Sequence, residues 1–137
     1  MKAITLLLVL VLVLCAGTSG ALAVRAVIQP TTSLANDQAS VGWYAIGTAG
    51  HYFNASIDGK QILIVNTSTI TTTAGINLTV IAGEYWREAL GDALFQLPAN
   101  HTYILGPFES SRFKQYNETV LIDSNATRGS VALVLLP

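Results

Sequence analysis

Seven asparagines follow residue 23, and six of them (Asn54, Asn66, Asn77, Asn100, Asn117 and Asn125) open an Asn-x-Ser/Thr triplet; only Asn36 does not. Such a triplet is an acceptor for transfer of an oligosaccharide to the side-chain amide, a reaction of exposed chain in secreted proteins. With Ser and Thr at roughly a sixth of the residues, chance would place about one of the seven in a triplet. Six therefore predict N-linked glycans spread from residue 54 to 125 over much of the domain, with no single sugar-bearing patch.

Other reactive residue types are sparse. His51 and His101 are the only histidines. Each stands beside a predicted strand with no second histidine, cysteine or carboxylate at ligand spacing, so both read as ordinary surface or edge residues and no metal site is expected. Glu84, Glu88 and Asp92 recur at helical spacing, but without other ligand types around them they read as a solvated acidic face. Gly42, Gly47 and Gly50 are too loosely spaced for a phosphate-binding loop. No nucleophile with a base and no pocketed carboxylate pair is signalled, so the chain is expected not to be an enzyme and to need no cofactor. Tyr85 and Trp86, on one polar loop, are the candidate contact aromatics.

These residues need a scaffold, and the composition allows one domain. Residues Met1 to Ala23 carry a single charge at Lys2, an apolar run from Ile4 to Leu14 and a small-residue end at Ala21-Leu22-Ala23. That is the layout of a signal peptide (1-23), with cleavage after Ala23, and it implies an extracellular or cell-surface protein with no membrane attachment after cleavage. The alternative is a retained hydrophobic helix, since the uncharged stretch is about long enough to span a bilayer. Gly17 to Gly20 interrupt it where an anchor would stay apolar. Cys15, the only cysteine, falls inside this segment, so no disulfide or thiol chemistry is expected beyond it. Leu14 before it argues against lipid attachment. Of 7 Lys+Arg and 8 Asp+Glu, one lysine lies in the signal, which leaves no basic face for nucleic acid.

From residue 24 onward short segments alternate with period two, and none sustains a helical repeat. Tyr52 to Ile57 and Lys60 to Asn66 flank Asp58-Gly59 and read as a hairpin. Ile76, Leu78 and Val80 alternate with Asn77 and Thr79, placing Asn77 on a solvent face. Asp92 to Leu97 and Thr102 to Leu105 flank a turn with Asn100 at its tip. Arg112 to Tyr116, Thr119 to Asp123 and Ser130 to Leu136 complete the strands, the last pair joined by the turn from Ser124 to Gly129. Glu84 to Leu90, closed by Gly91, is the one helical interruption. About eight strands at this spacing indicate an all-β, jelly-roll-like sandwich over 41-137. Val131 to Leu136, apolar on both faces, is its expected central strand.

Residues 24-40 form an extended arm: an apolar strand around Val24, Ala26, Val27 and Ile28, then a polar linker from Pro30 to Ser40. A strand on a linker can add to its own sheet or to a neighbour's open edge, and a head-to-tail contact of the second kind makes a thread. This layout of short secreted precursor, cysteine-free sandwich, dense Asn-x-Ser/Thr sites and apolar N-terminal strand resembles the subunits of archaeal extracellular threads and bundling pili, which assemble by donor-strand exchange. The resemblance implies a homopolymer joined through the N-terminal strand. A local stretch, Leu97-Pro98-Ala99-Asn100-His101-Thr102 followed by Ile104-Leu105-Gly106-Pro107-Phe108-Glu109 and Arg112-Phe113-Lys114-Gln115, is similar to small β-sandwich proteins of phages and prokaryotes, some of them virion components. The expected function is a structural subunit of a glycosylated extracellular filament. The alternatives are a monomeric adhesion or glycan-binding module using Tyr85 and Trp86, a type IV-like pilin that keeps its hydrophobic helix, and a virion surface protein.

Overall fold

The computed structural model describes residues 24–32, 40–55, 59–71 and 75–137. Residues 1–23, on which the expected signal peptide and Cys15 fall, residues 33–39 of the expected linker, and part of the expected Asp58-Gly59 turn lie outside the described residues. The alternating segments form strands: β1 (Ala26–Val27), β2 (Pro30–Thr32), β3 (Tyr44–Ala45), β4 (His51–Asn54), β5 (Gln61–Asn66), β6 (Ile76–Val80), β7 (Ala93–Leu97), β8 (Thr102–Leu105), β9 (Thr119–Ser124) and β10 (Ser130–Leu135). One sheet has the order β1-β4-β9-β6-β7 and the other β2-β10-β5-β8, with β3 also on β10. Set β1 and β2 aside, and β3-β10-β5-β8 lies against β4-β9-β6-β7. That alternation is the double Greek-key winding of a jelly roll. The all-β sandwich expected from the sequence is the fold, with the N-terminal arm laid along it.

Burial follows the pleat. Phe53, Leu63, Val65, Ile76, Leu78 and Val80 alternate with exposed or half-exposed neighbours, and with Val120, Ile122, Val131 and Leu133 they fill the space between the sheets; in β10 Ala132 is buried as well. Each such side chain contributes about 1.5–3 kcal/mol by leaving water. β10 has β5 on one side and β2 with β3 on the other, the central place its two-faced apolar sequence predicts.

Two expectations are corrected. The hairpin at Asp58-Gly59 does not form: β4 pairs with β1 and β9, while β5 pairs with β8 and β10 in the opposite sheet. β4 and β5 thus lie in opposite sheets, and Gln61 Nε2 donates to the Asn54 carbonyl at 2.9 Å between them. Alternation specifies which face of a strand is buried but not which strand lies beside it. The second correction is at Arg112 to Tyr116, where one helical turn, α1 (Ser110–Phe113), replaces the strand. Phe113 and Lys114 donate to the Glu109 and Ser110 carbonyls at 3.1 and 3.0 Å, and only Lys114 makes a bridge, to Val120. A single buried ring, Phe113, anchors this turn, so no second apolar position was needed to hold a ladder. The helical interruption near Gly91 is a short 3-10 turn, Glu88–Leu90, ended by Gly91 at φ 68°.

Candidate functional site

The candidate side chains lie on the arm, in two loop clusters at opposite ends of the jelly roll, and at a buried histidine on β4.

The arm bridges both sheets. Ala26 N donates to Gly50 O at 3.2 Å and Ile28 N to Tyr52 O at 2.8 Å, which makes β1 a parallel edge strand on β4. Ile28 then turns into the core at 1% exposure, and β2 continues as a parallel edge strand on β10, pairing Leu133 with Pro30 and Leu135 with Thr32. Val24 stays exposed, and Val27 lies in register with Tyr52. Arg25 pairs with Asp123 and donates to Ile122 O at 3.0 Å, fastening the start of the arm to β9. This fit depends on Gly50. A Cβ there would lie 2.5 Å from Arg25 Nη1 and 2.8 Å from Ile122 O, and its φ of +78° disfavours any other residue.

His51 faces inward from β4 and is 5% exposed, so the sequence reading of it as a surface or edge residue is corrected. Neither ring nitrogen makes a hydrogen bond. Desolvation lowers its pKa below the ordinary histidine value; the nearby Arg25 charge adds to this, and the carbonyls of Ala45 and Ala26 partly oppose it. Its alternation with Phe53 was the signal that it points inward. His101 is exposed and rests edge-on against Tyr103, with ring centroids 5.9 Å apart.

At one end of the sandwich the loops carrying Asn66, Asn77, Asn100 and Asn125 are tied together. Asn77 N donates to Asn125 Oδ1 at 2.8 Å, Asn100 N to Thr67 O at 3.1 Å, and Gly129 N to Thr69 Oγ1 at 3.1 Å. Thr67 Oγ1 joins the carbonyls of Pro98 and His101 at 2.8 and 3.0 Å. Asn54 and Asn117 lie toward the other end. Four of the six asparagines thus share one end, where the sequence suggested cover over much of the domain with no single patch. Asn54, Asn100, Asn117 and Asn125 are exposed, and Asn66 and Asn77 are half-exposed on outer faces. Asn100 occupies its loop tip with φ 63°, as expected. Asn117 sits in a tight turn whose Thr119 hydroxyl donates to Asn117 Oδ1 at 2.6 Å.

The opposite end holds the 84–92 loop against α1 and the 114–118 turn. Gly83 N donates to Arg112 O at 2.6 Å, Glu84 N to Lys114 O at 3.1 Å and Arg87 N to Ser111 O at 3.1 Å. Contact this close is open to glycine, since a Cβ at Gly83 would meet Lys114 O at 2.3 Å. Tyr85 packs edge-on against Tyr116 with centroids 5.8 Å apart. Trp86 is exposed with the Arg87 guanidinium over one face, and Lys114 Nζ sits 4.9 Å from the Tyr85 ring centre. Tyr116 joined this group unannounced, because the turn that brings it to Tyr85 is 31 residues away in sequence. The acidic trio does not assemble as a cation site. Glu84 accepts from Tyr116 N and Asp92 from Ala82 N, both at 2.7 Å, and among the described residues no cluster of metal-ligating side chains occurs. Among the described residues no helix is long and apolar enough to cross a membrane. No protein-family model, characterised protein or solved structure matches the chain.

Proposed function

We propose that this chain is a structural subunit of an extracellular, N-glycosylated filament in which the arm of one copy completes the sandwich of the next. The observation that carries this reading is the way residues 24–32 are held: two parallel edge ladders and one buried side chain, Ile28, that adds to the core formed by the eight strands after the arm. Backbone ladders and a single anchor form equally well whether the strand comes from the same chain or from a neighbour. Exchange needs only that the 33–40 linker pass to another copy, and a head-to-tail contact of this kind propagates without closing. The exposed or half-exposed Asn-x-Ser/Thr acceptors fit the surface of such a thread.

Negative-stain microscopy of the purified chain from residue 24 onward tests the reading, alongside microscopy of the producing cells. Threads of uniform width are the expected result. Stable monomers at high concentration together with bare cells would sink it.

A further inference from the structure

Trp86 is 77% exposed and Tyr116 72% exposed, although burying large aromatic rings is the largest single gain available to a small core. Both lie at one end of the sandwich, where Tyr85 packs against Tyr116 and shares a recess with Trp86. Exposed rings gathered in this way mark a contact surface. The polar groups around them identify the partner. A recess of about 200 Å³ is lined by Tyr85, Trp86, Ser110, Ser111 and Lys114. It is too small for a helix or strand of another protein and matches one sugar ring. The charges around it, Arg87, Lys114, Glu84, Glu109 and Glu118, are the opposite of the charge-depleted centre of a protein interface.

We propose that this recess binds a single pyranose ring, with the apolar face of the sugar stacked on Trp86 beside Tyr85 and its hydroxyls meeting Ser111 and Lys114. The rings are held before any ligand arrives. Arg87 lies 4.8 Å from the centre of the Trp86 ring and is itself fixed by Glu109, so the other face of the indole is presented to solvent. Such pre-ordering removes part of the entropic cost of binding. Lys114 has three N–H donors. It directs one to Glu118 at 2.7 Å and sits over Tyr85, which leaves donor capacity for a sugar hydroxyl.

Two sources offer this chemistry: an N-linked glycan of a neighbouring copy, or a polysaccharide from outside. The first has a geometric attraction, because four of the Asn-x-Ser/Thr acceptors lie at the opposite end of the sandwich, and head-to-tail stacking brings that end onto this one. That choice of source rests on the filament reading. The site itself does not.

The test uses the unglycosylated chain from residue 24 onward as a monomer, titrated with glucose, mannose, galactose and N-acetylglucosamine and, separately, with glycopeptides released from the native protein. The indole N–H resonance of Trp86 is followed by NMR, with Trp43 as an internal control. The expected result is a saturable shift of Trp86 alone, with a Kd of about 1–10 mM for a single ring. Trp86→Ala should weaken binding by about tenfold without changing the melting temperature. Tighter binding of the glycopeptides supports the neighbouring-copy source, and equal binding supports the site with an external sugar. No shift at tenfold the expected Kd, or equal shifts at Trp43 and Trp86, would overturn the proposal. So would concentration-dependent dimerisation that Trp86→Ala abolishes in the absence of sugar binding. Because the readout is on monomers, filaments that form without a sugar shift would refute the site alone, and sugar binding without filaments would refute only the assembly.

Discussion

Replacing Ile28 with alanine asks whether the arm belongs to the folded domain. Ile28 is 1% exposed between the sheets, and its N–H donates to Tyr52 O at 2.8 Å. Truncating a buried Ile to Ala costs about 2–5 kcal/mol, as lost transfer energy plus the cavity left behind. Ile28 lies on an edge segment, which collapses onto a void more readily than a closed core does, so the lower part of the range applies, about 2–3 kcal/mol. For a domain of this size that lowers Tm by roughly 8–12 °C. The arm sets a ceiling as well. Once the cavity costs more than the arm gains from Ile28 and its edge ladders, at about 0.5–1.5 kcal/mol per hydrogen bond, the arm lets go and the loss stops growing. Ile28→Val should cost about 1 kcal/mol. Val24→Ala, at a site 84% exposed, should stay within about 0.5 kcal/mol of the parent. The assay is urea unfolding of the chain from residue 24 onward at a concentration where it is monomeric. An Ile28→Ala variant as stable as Val24→Ala would refute the reasoning, since the arm would then be a passenger on the sandwich.

Three further outcomes are expected. His51 is held neutral, with its pKa lowered chiefly by burial, so the unfolded chain takes up the proton first; stability is full above pH about 6.5 and falls as the pH drops below it. Urea midpoints at pH 7.5 and 5 should show that fall, and His51→Leu should flatten it; an unaltered pH profile in the variant would rule His51 out as the cause. Gly50→Ala should cost about 1–3 kcal/mol through its left-handed backbone and its collision with the Arg25 ion pair, measurable as a lower Tm, whereas an unchanged Tm would refute that packing. Thr119→Ala removes the triplet at Asn117, and the intact mass of protein purified from its producing cells should drop by one glycan; an unchanged mass would show Asn117 unoccupied.

What the sequence disclosed and withheld follows from what its patterns encode. Alternation in Ile76, Leu78 and Val80 against Asn77 and Thr79 gave strand, face and solvent side together, because burial is a property of each residue. Partner choice is a property of pairs far apart in the chain, so Asp58-Gly59 looked like a hairpin turn although the strands on either side of it, β4 and β5, lie in opposite sheets. The arm was legible as an apolar strand before a polar linker. That it would serve both sheets was not, since nothing in Val24 to Pro30 says where the chain bends. His51 was misread because histidine is read by type as a surface residue, although its step of two from Phe53 placed it inward. The aromatic recess was half visible in Tyr85 and Trp86. Ser110, Ser111 and Lys114 reach it only through contacts around Gly83, whose missing Cβ lets the 84–92 loop lie against α1. The gathering of four acceptors at one end is likewise a product of the jelly-roll winding rather than of spacing.

The central claim, that the arm passes between copies, is tested most directly by a pair of cysteines, Val27→Cys with Tyr52→Cys. These residues are in register on β1 and β4, and the only native cysteine lies within residues 1–23. Threads of the double variant are oxidised, dissolved in detergent under non-reducing conditions and separated by size. A ladder of covalently linked multimers that collapses on reduction is the result expected if each arm completes its neighbour. Monomers alone, each with an internal disulfide, would show that every arm stays on its own sandwich and would contradict the account.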